Sequence, residues 1–246
     1  MKKLLPLLLF LAGALVLGAV FFFIAKSTKE TSSPEEAAET APETPLADRP
    51  IASLMPSADG HWLTMSITKI KIAAKSLDYT LLYSLPDGRS QGVPGSVSLA
   101  GVTSIERKLL LGSESSGKFR YDEGVEQGTL TLKFRDNNGK LVAKLLTPWH
   151  LQGSVSEVSS TDGNFKISFK KAPTKTFFVT MSTFGLPADS PAELVAGPWG
   201  VFSSSKMALS GTPQLSGASA IYHYSGGKWT LAKTTTPDLG IFIGTK

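Results

Sequence analysis

The chain has 246 residues, with 25 Lys and Arg against 20 Asp and Glu, 23 Gly, 15 Pro and no Cys. That length allows one or two domains of roughly 100–200 residues, and an apolar fraction of 41% supplies a packed core and excludes wholesale disorder. Without Cys there are no disulfides, thiolate metal sites, Cys nucleophiles or lipid-modified N-terminal Cys, so any domain stands on its apolar core alone.

Residues 1–26 read MKKLLPLLLFLAGALVLGAVFFFIAK, and Leu4–Ala25 is a run of 22 residues with no charged or strongly polar side chain. A helix of that length rises about 33 Å, enough for a hydrocarbon core of about 30 Å. Pro6 lies near the start, where a helix tolerates it. A cleaved signal would have an apolar region of about 7–15 residues and a small-x-small site after it. Ala12-Gly13-Ala14 lies inside the run, and Ala25-Lys26-Ser27 carries a Lys. The length therefore favours an uncleaved transmembrane signal-anchor helix over 1–26, embedded in the lipid bilayer through Leu4–Ala25. Lys2 and Lys3 precede the span and Lys26 and Lys29 follow it, so the positive-inside bias is slight. The short N-terminal tail makes export of the long C-terminal part the default. The expectation is a single-pass cell-membrane protein with its C-terminal region extracytoplasmic, periplasmic or at the cell surface. Ala14 and Gly18 have small-xxx-small spacing, which ordinary lipid-facing residues explain.

Residues 27–50 read STKETSSPEEAAETAPETPLADRP, with six acidic residues, two basic residues, four Pro and one large aliphatic, Leu46. Such a stretch has too little apolar surface to offset its ordering entropy. It is expected to be a disordered, acidic, Pro-rich linker that holds a domain off the membrane.

Residues 51–246 carry 20 Lys and Arg against 14 Asp and Glu, a net of +6, and only four of the basics are Arg (Arg89, Arg107, Arg120 and Arg135). Period-two alternation recurs throughout. A strand is expected at Trp62–Ile72, where the apolar set shifts from Met65 and Ile67 to Ile70 and Ile72 and suggests a bulge near Thr68-Lys69. Further strands are expected at Tyr79–Leu85, Arg107–Leu111 and Lys118–Tyr121. Thr129–Phe134 and Lys140–Leu146 flank the turn Asp136–Gly139 (DNNG) as a hairpin. Asn164–Lys170 is expected to turn through Ala172–Lys175 into Thr176–Phe184. After Met207–Leu209, Ala220–Lys233 (AIYHYSGGKWTLAK) forms a hairpin about Gly226-Gly227, and Leu239–Ile243 ends the chain. No window after residue 50 sustains a helical apolar stripe, so the fold class is all-β. About a dozen short strands with Gly, Pro and Asn turns argue for sandwiches. The polar stretch Gly153–Gly163 divides the zone, giving two tandem immunoglobulin-like β-sandwiches at 51–156 and 157–246. One larger sandwich is the alternative.

Trp62–Leu85 with its YTLLYSLPDG turn, and the hairpin GTLTLKFRDNNGKLVAK, resemble immunoglobulin or fibronectin type III-like modules of membrane-anchored bacterial surface proteins. The AIYHYSGGKWTLAK hairpin is similar to hairpins that close such domains. The resemblance covers about a third of the chain and lacks the Cys–Trp–Cys pin, since there is no Cys. It implies adhesion, spacing or scaffolding and carries over no catalytic residue.

The candidate chemistry is thin. Gly112–Lys118 (GSESSGK) has the spacing of a phosphate-binding loop, but Phe119 follows where Ser or Thr is needed, and the flanks are strand-like, so a hairpin loop is favoured. His61, His150 and His223 are scattered and read as surface or edge histidines rather than metal ligands or a base. The nucleophile elbow G-x-S-x-G is missing. Asp122, Glu123 and Glu126 in YDEGVEQG read as a solvated loop rather than a glycosidase carboxylate pair. Asp136–Gly139 and Thr161–Asn164 hold oxygen ligands, but turn chemistry explains both better than calcium. The Lys are spread along strands as solvated faces and edge protection, so nucleic acid is excluded as a partner. Of Trp62, Trp149, Trp199 and Trp229, core roles are expected for most, with Trp199 in GPWG the one to expect at the surface.

The sequence thus predicts a membrane-anchored extracytoplasmic binding, adhesion or spacer module of the cell envelope. It is read as no enzyme, with no catalytic, cofactor-binding or metal-binding residue and no cofactor. Its partner is an envelope protein or polymer, and the MKK-plus-apolar start fits a bacterial source. One rival is an envelope enzyme acting on glycan or peptide, which needs a concave pocket with two or more convergent titratable groups. The other is an accessory subunit of an envelope complex, which needs an exposed apolar patch or unpaired strand edge.

Overall fold

The structure is a computed structural model that describes residues 40–246. The predicted transmembrane helix over 1–26 and the first part of the acidic linker lie outside the described residues. Among those described, no helix is long and apolar enough to cross a membrane, and the only helical element is a 3-10 turn at Leu46–Asp48.

The described residues are all-β. In chain order the strands are β1 (Ile51–Pro56), β2 (Trp62–Thr68), β3 (Ser76–Ser84), β4 (Ser90–Ser98), β5 (Ile105–Leu110), β6 (Gly112–Ser115), β7 (Lys118–Tyr121), β8 (Gln127–Arg135), β9 (Leu141–Gly153), β10 (Glu157–Ser159), β11 (Phe165–Ser168), β12 (Phe177–Ser182), β13 (Leu194–Ser203), β14 (Thr212–Leu215), β15 (Ala220–Ser225), β16 (Lys228–Leu231) and β17 (Ile241–Thr245). Nine of them form one antiparallel sheet in the order β16-β15-β17-β13-β12-β9-β8-β3-β4. Two three-stranded sheets, β1-β2-β5 and β10-β11-β14, lie against it, and β6-β7 is a separate ribbon.

Alternation explains the first core. β3 buries Leu77, Tyr79, Leu81 and Tyr83, and β8 buries Leu130, Leu132 and Phe134. The register aligns Leu77 with Phe134 and Phe134 with Ala143, so the inward rows meet across three strands. β1, β2 and β5 close this core with Leu54, Leu63, Met65, Ile67 and Leu109. A second core gathers Val158, Phe165, Ile167, Phe178, Val201, Leu215 and Phe242.

β12 joins the two. Its Val179 and Met181 belong to the first core and its Phe178 to the second. Successive side chains point to opposite faces of a sheet, so the two small sheets cover opposite faces of the large one. β9 shows the same division. Trp149 and Leu151 face the first core, while on the other face the His150 Nδ1 is 2.8 Å from Ser159 O and Gln152 Oε1 accepts from Ser159 N at 2.8 Å. The layering is that of a β-sandwich. The sheet itself is continuous across the polar stretch Gly153–Gly163, since β9 pairs with β12, and β10 lies within that stretch.

Several local expectations differ from the structure. β2 ends at Thr68, and Lys69 adopts a left-handed φ of 53°, so the parity shift marks the end of a strand rather than a bulge within one. β11 and β12 are not a hairpin: β11 pairs with β10 and β14, β12 with β9 and β13. The chain arches from one layer to the other, because Phe165 and Ile167 on β11 and Phe178 on β12 face the same core from opposite sides. Met207–Leu209 is not a strand, and β14 forms a few residues later.

The end of the linker is also seated. Pro50 is buried and its carbonyl accepts from Gly185 N at 3.0 Å, while Lys71 Nζ donates to Ala47 O at 2.9 Å and Arg49 Nε to Thr44 O at 2.8 Å. Pro45 and Pro50 restrict the chain here, which lowers the entropy that these contacts must offset.

Candidate functional site

A cleft of about 470 Å³ opens where the β1–β2 turn, the β7–β8 loop and the end of β9 meet. The turn supplies Asp59, Gly60 and His61, the loop Asp122 to Glu126, and the strand His150 to Gly153, with Val155 and Phe177 completing the lining. Its size is that of a ligand pocket.

Each part is positioned by identifiable bonds. Asp59 closes the turn, accepting from Ser57 Oγ at 2.5 Å and His61 N at 3.1 Å. The Ser57 hydroxyl, with smaller help from His61, holds the Asp59 carboxyl below the usual carboxylate range. Gly60 has φ 76°, and a Cβ there would lie 2.7 Å from the Phe177 ring, so a side chain would displace the ring from the cleft wall. The acidic loop is tied at both ends: Asp122 N donates to Leu111 O at 3.0 Å and Leu151 N to Glu126 O at 2.6 Å. Tyr83 Oη donates to Asp122 Oδ2 at 2.8 Å; burial, then this carboxylate, pushes the phenol pKa up. Because Ser159 O can only accept, His150 Nδ1 donates to it.

An aromatic row borders the cleft. β6 and β7 form a hairpin whose turn, Ser116-Gly117, has φ 51° and 76°. Phe119 and Tyr121, two residues apart on β7, stay 46% and 37% exposed. Their rings are nearly parallel, with centroids 6.4 Å apart. His61 stacks on Tyr121 at 4.2 Å, and Trp62 meets Phe119 edge-on at 5.4 Å. Lys108 Nζ sits 4.5 Å from the Trp62 ring centroid. Trp62, Lys108, Phe119 and Tyr121 thus form a surface of rings and one cation.

The residues singled out by sequence fall unevenly. Gly112–Lys118 is the β6–β7 hairpin, without a helix to face a phosphate. His61 and His150, far apart in sequence, both line the cleft together with Asp122, Glu123 and Glu126. His223 is instead 1% exposed at the far end of the sheet, stacked on Phe242 at 4.7 Å. This corrects its placement as a surface or edge histidine. Burial lowers its pKa, opposed by Asp238 with Oδ1 3.5 Å from Nε2. Asp136 serves its turn, accepting from Asn138 N and Lys140 N, and Asp162 does the same for Asn164 N. Among the described residues, no group of three or more His, Asp or Glu is arranged to hold a metal ion. Trp149 is fully buried. Trp199 is half-buried, stacked on Phe165 at 6.1 Å against the second core. Of the row, the sequence singled out Trp62 alone, with the other Trp residues; nothing local distinguishes Phe119 and Tyr121, which are exposed because the β6–β7 ribbon pairs with no other strand among the described residues.

Comparison of the chain with family models, with curated proteins and with solved structures finds no match in any of the three.

Proposed function

We propose that this protein is a membrane-anchored binding module of the cell envelope, held by Leu4–Ala25 and displaying an extracytoplasmic β body whose working face is the cleft with its aromatic row. The observation that carries the reading is the row itself: Phe119 and Tyr121 stay exposed beside a cleft of ligand size. Exposed aromatics at that cost in water contact mark an interaction surface. The body reads as one larger immunoglobulin-like layered sandwich rather than two tandem ones, supported by the sheet shared across residue 156.

The cleft gathers titratable groups, which also suits an enzyme of the envelope. Binding is favoured because Asp59 and Asp122 are committed to Ser57 and Tyr83, and His150 Nδ1 to Ser159.

The test is co-sedimentation of the full-length chain, in non-ionic detergent, with purified cell-envelope fragments. Wild type is expected to sediment and the Phe119→Ala/Tyr121→Ala variant to stay in solution. Equal sedimentation of the two would overturn the reading.

A further inference from the structure

We infer that the cleft and aromatic row receive a cationic peptide segment, an extended stretch carrying Lys or Arg side chains; this rests on the binding reading above and names its ligand class. The rings come first. Phe119 and Tyr121 offer exposed aromatic faces, which attract ammonium and guanidinium groups. The same row already holds one such cation, the Lys108 ammonium 4.5 Å from the Trp62 centroid.

Charge complementarity points the same way. The body has 20 Lys and Arg against 14 Asp and Glu, yet the cleft is lined by Asp59, Asp122, Glu123 and Glu126 and by no Lys or Arg. The cations beside the site are Lys108 on the row and Lys118 and Arg120 on β7, so the attraction is set by the cleft; Arg89, which Asp122 influences, is bound to Asp87 at 2.7 Å. A negative concavity in a positive body focuses the field on cations and repels polyanions. A neutral sugar could stack on the rings but would gain no such attraction.

The backbone favours a peptide over a small amine. Among the described residues β6 and β7 pair with no strand but each other. Their outer edges therefore keep N–H and C=O groups for an added strand. An extended segment lying there would set alternate side chains over Phe119 and Tyr121 and bring the next basic group to Glu123 and Glu126.

The experiment uses the full-length chain in non-ionic detergent and fluorescence anisotropy with three labelled probes: hexalysine, hexaglutamate and a neutral hexasaccharide of N-acetylglucosamine. Hexalysine is expected to bind and the other two not. Glu123→Gln/Glu126→Gln, both exposed loop positions, is expected to weaken hexalysine about tenfold and Phe119→Ala about threefold. Asp189→Asn, exposed on another loop, should leave binding unchanged, and all variants should keep the wild-type circular dichroism. Binding of the hexasaccharide in place of hexalysine, or hexalysine binding indifferent to both cleft and ring variants, would overturn the inference. If hexalysine fails while sedimentation with envelope fragments still needs Phe119 and Tyr121, the cationic assignment falls and the binding reading stands. If both fail, both fall.

Discussion

The two cores are built from different materials. The first is aliphatic over most of its extent, with Leu, Ile and Met drawn from β1, β2, β3, β5, β8 and β9. The second is small and aromatic: Phe165 lies against Trp199 and Phe242, and Phe169 against Phe178 at 5.1 Å. The second is also bordered by buried polar groups that make no hydrogen bond. Both ring nitrogens of His223 and the Thr180 and Thr245 hydroxyls are buried with no hydrogen bond among the described residues. Burying such groups unpaired is costly. In the first core Trp149 Nε1 is left likewise, so the contrast is one of degree: one continuous sheet carries an aliphatic core with few such groups and an aromatic one with several.

Three perturbations probe that contrast. The largest effect is expected from Leu132→Asp, which puts a charge into the first core where Leu132 has no exposure and should abolish the folded β spectrum by circular dichroism. Lys133→Asp, on the opposite face of β8, should cost less than about 1 kcal/mol. Equal effects would mean the faces are assigned wrongly. Next, Phe165→Ala should cost about 3–5 kcal/mol. Hydrogen exchange after this change would show whether the cores are coupled: fast exchange confined to β10, β11 and β14 means that they open separately, whereas loss of protection in β1, β2 and β5 as well means that β12 binds them into one unit. The smallest effect concerns pH. The folded pKa of His223 is lowered by burial, so the unfolded chain takes up a proton first. Stability is then full above the unfolded value of about 6.5 and declines as pH falls below it, levelling off below the folded value. Urea midpoints at pH 8 and pH 5 should converge in His223→Phe and keep their wild-type separation in His61→Gln.

Much of the strand content was legible locally. β8 and β9 announce themselves by Leu130, Leu132 and Phe134 and by the Asp136 turn, and β15 and β16 by Gly226-Gly227 between alternating aromatics. β4 was not legible: Ser90–Ser98 is an edge strand whose inward row is only Val93 and Val97 with Gly95 between them, and Pro94 interrupts the pattern. β13 hid because Gly197-Pro198 looks like a turn, whereas the strand runs through that dipeptide with a shifted register. The shared sheet was illegible for a different reason. Pairing of β9 with β12 crosses a polar segment, and no local pattern states which distant strand is a neighbour. The cleft followed the same rule. YDEGVEQG and two of the histidines were visible one by one, but their meeting depends on the register of β8 with β9 and on the turn before Trp62.

Residues 41–50, seated on the body through Pro50 and Ala47, add no slack between the body and the residues that precede them. Fully extended, ten residues would reach about 35 Å. If the chain is anchored as proposed above, the radius within which the body could search is shorter by that amount, and a ligand would have to come correspondingly nearer to the bilayer.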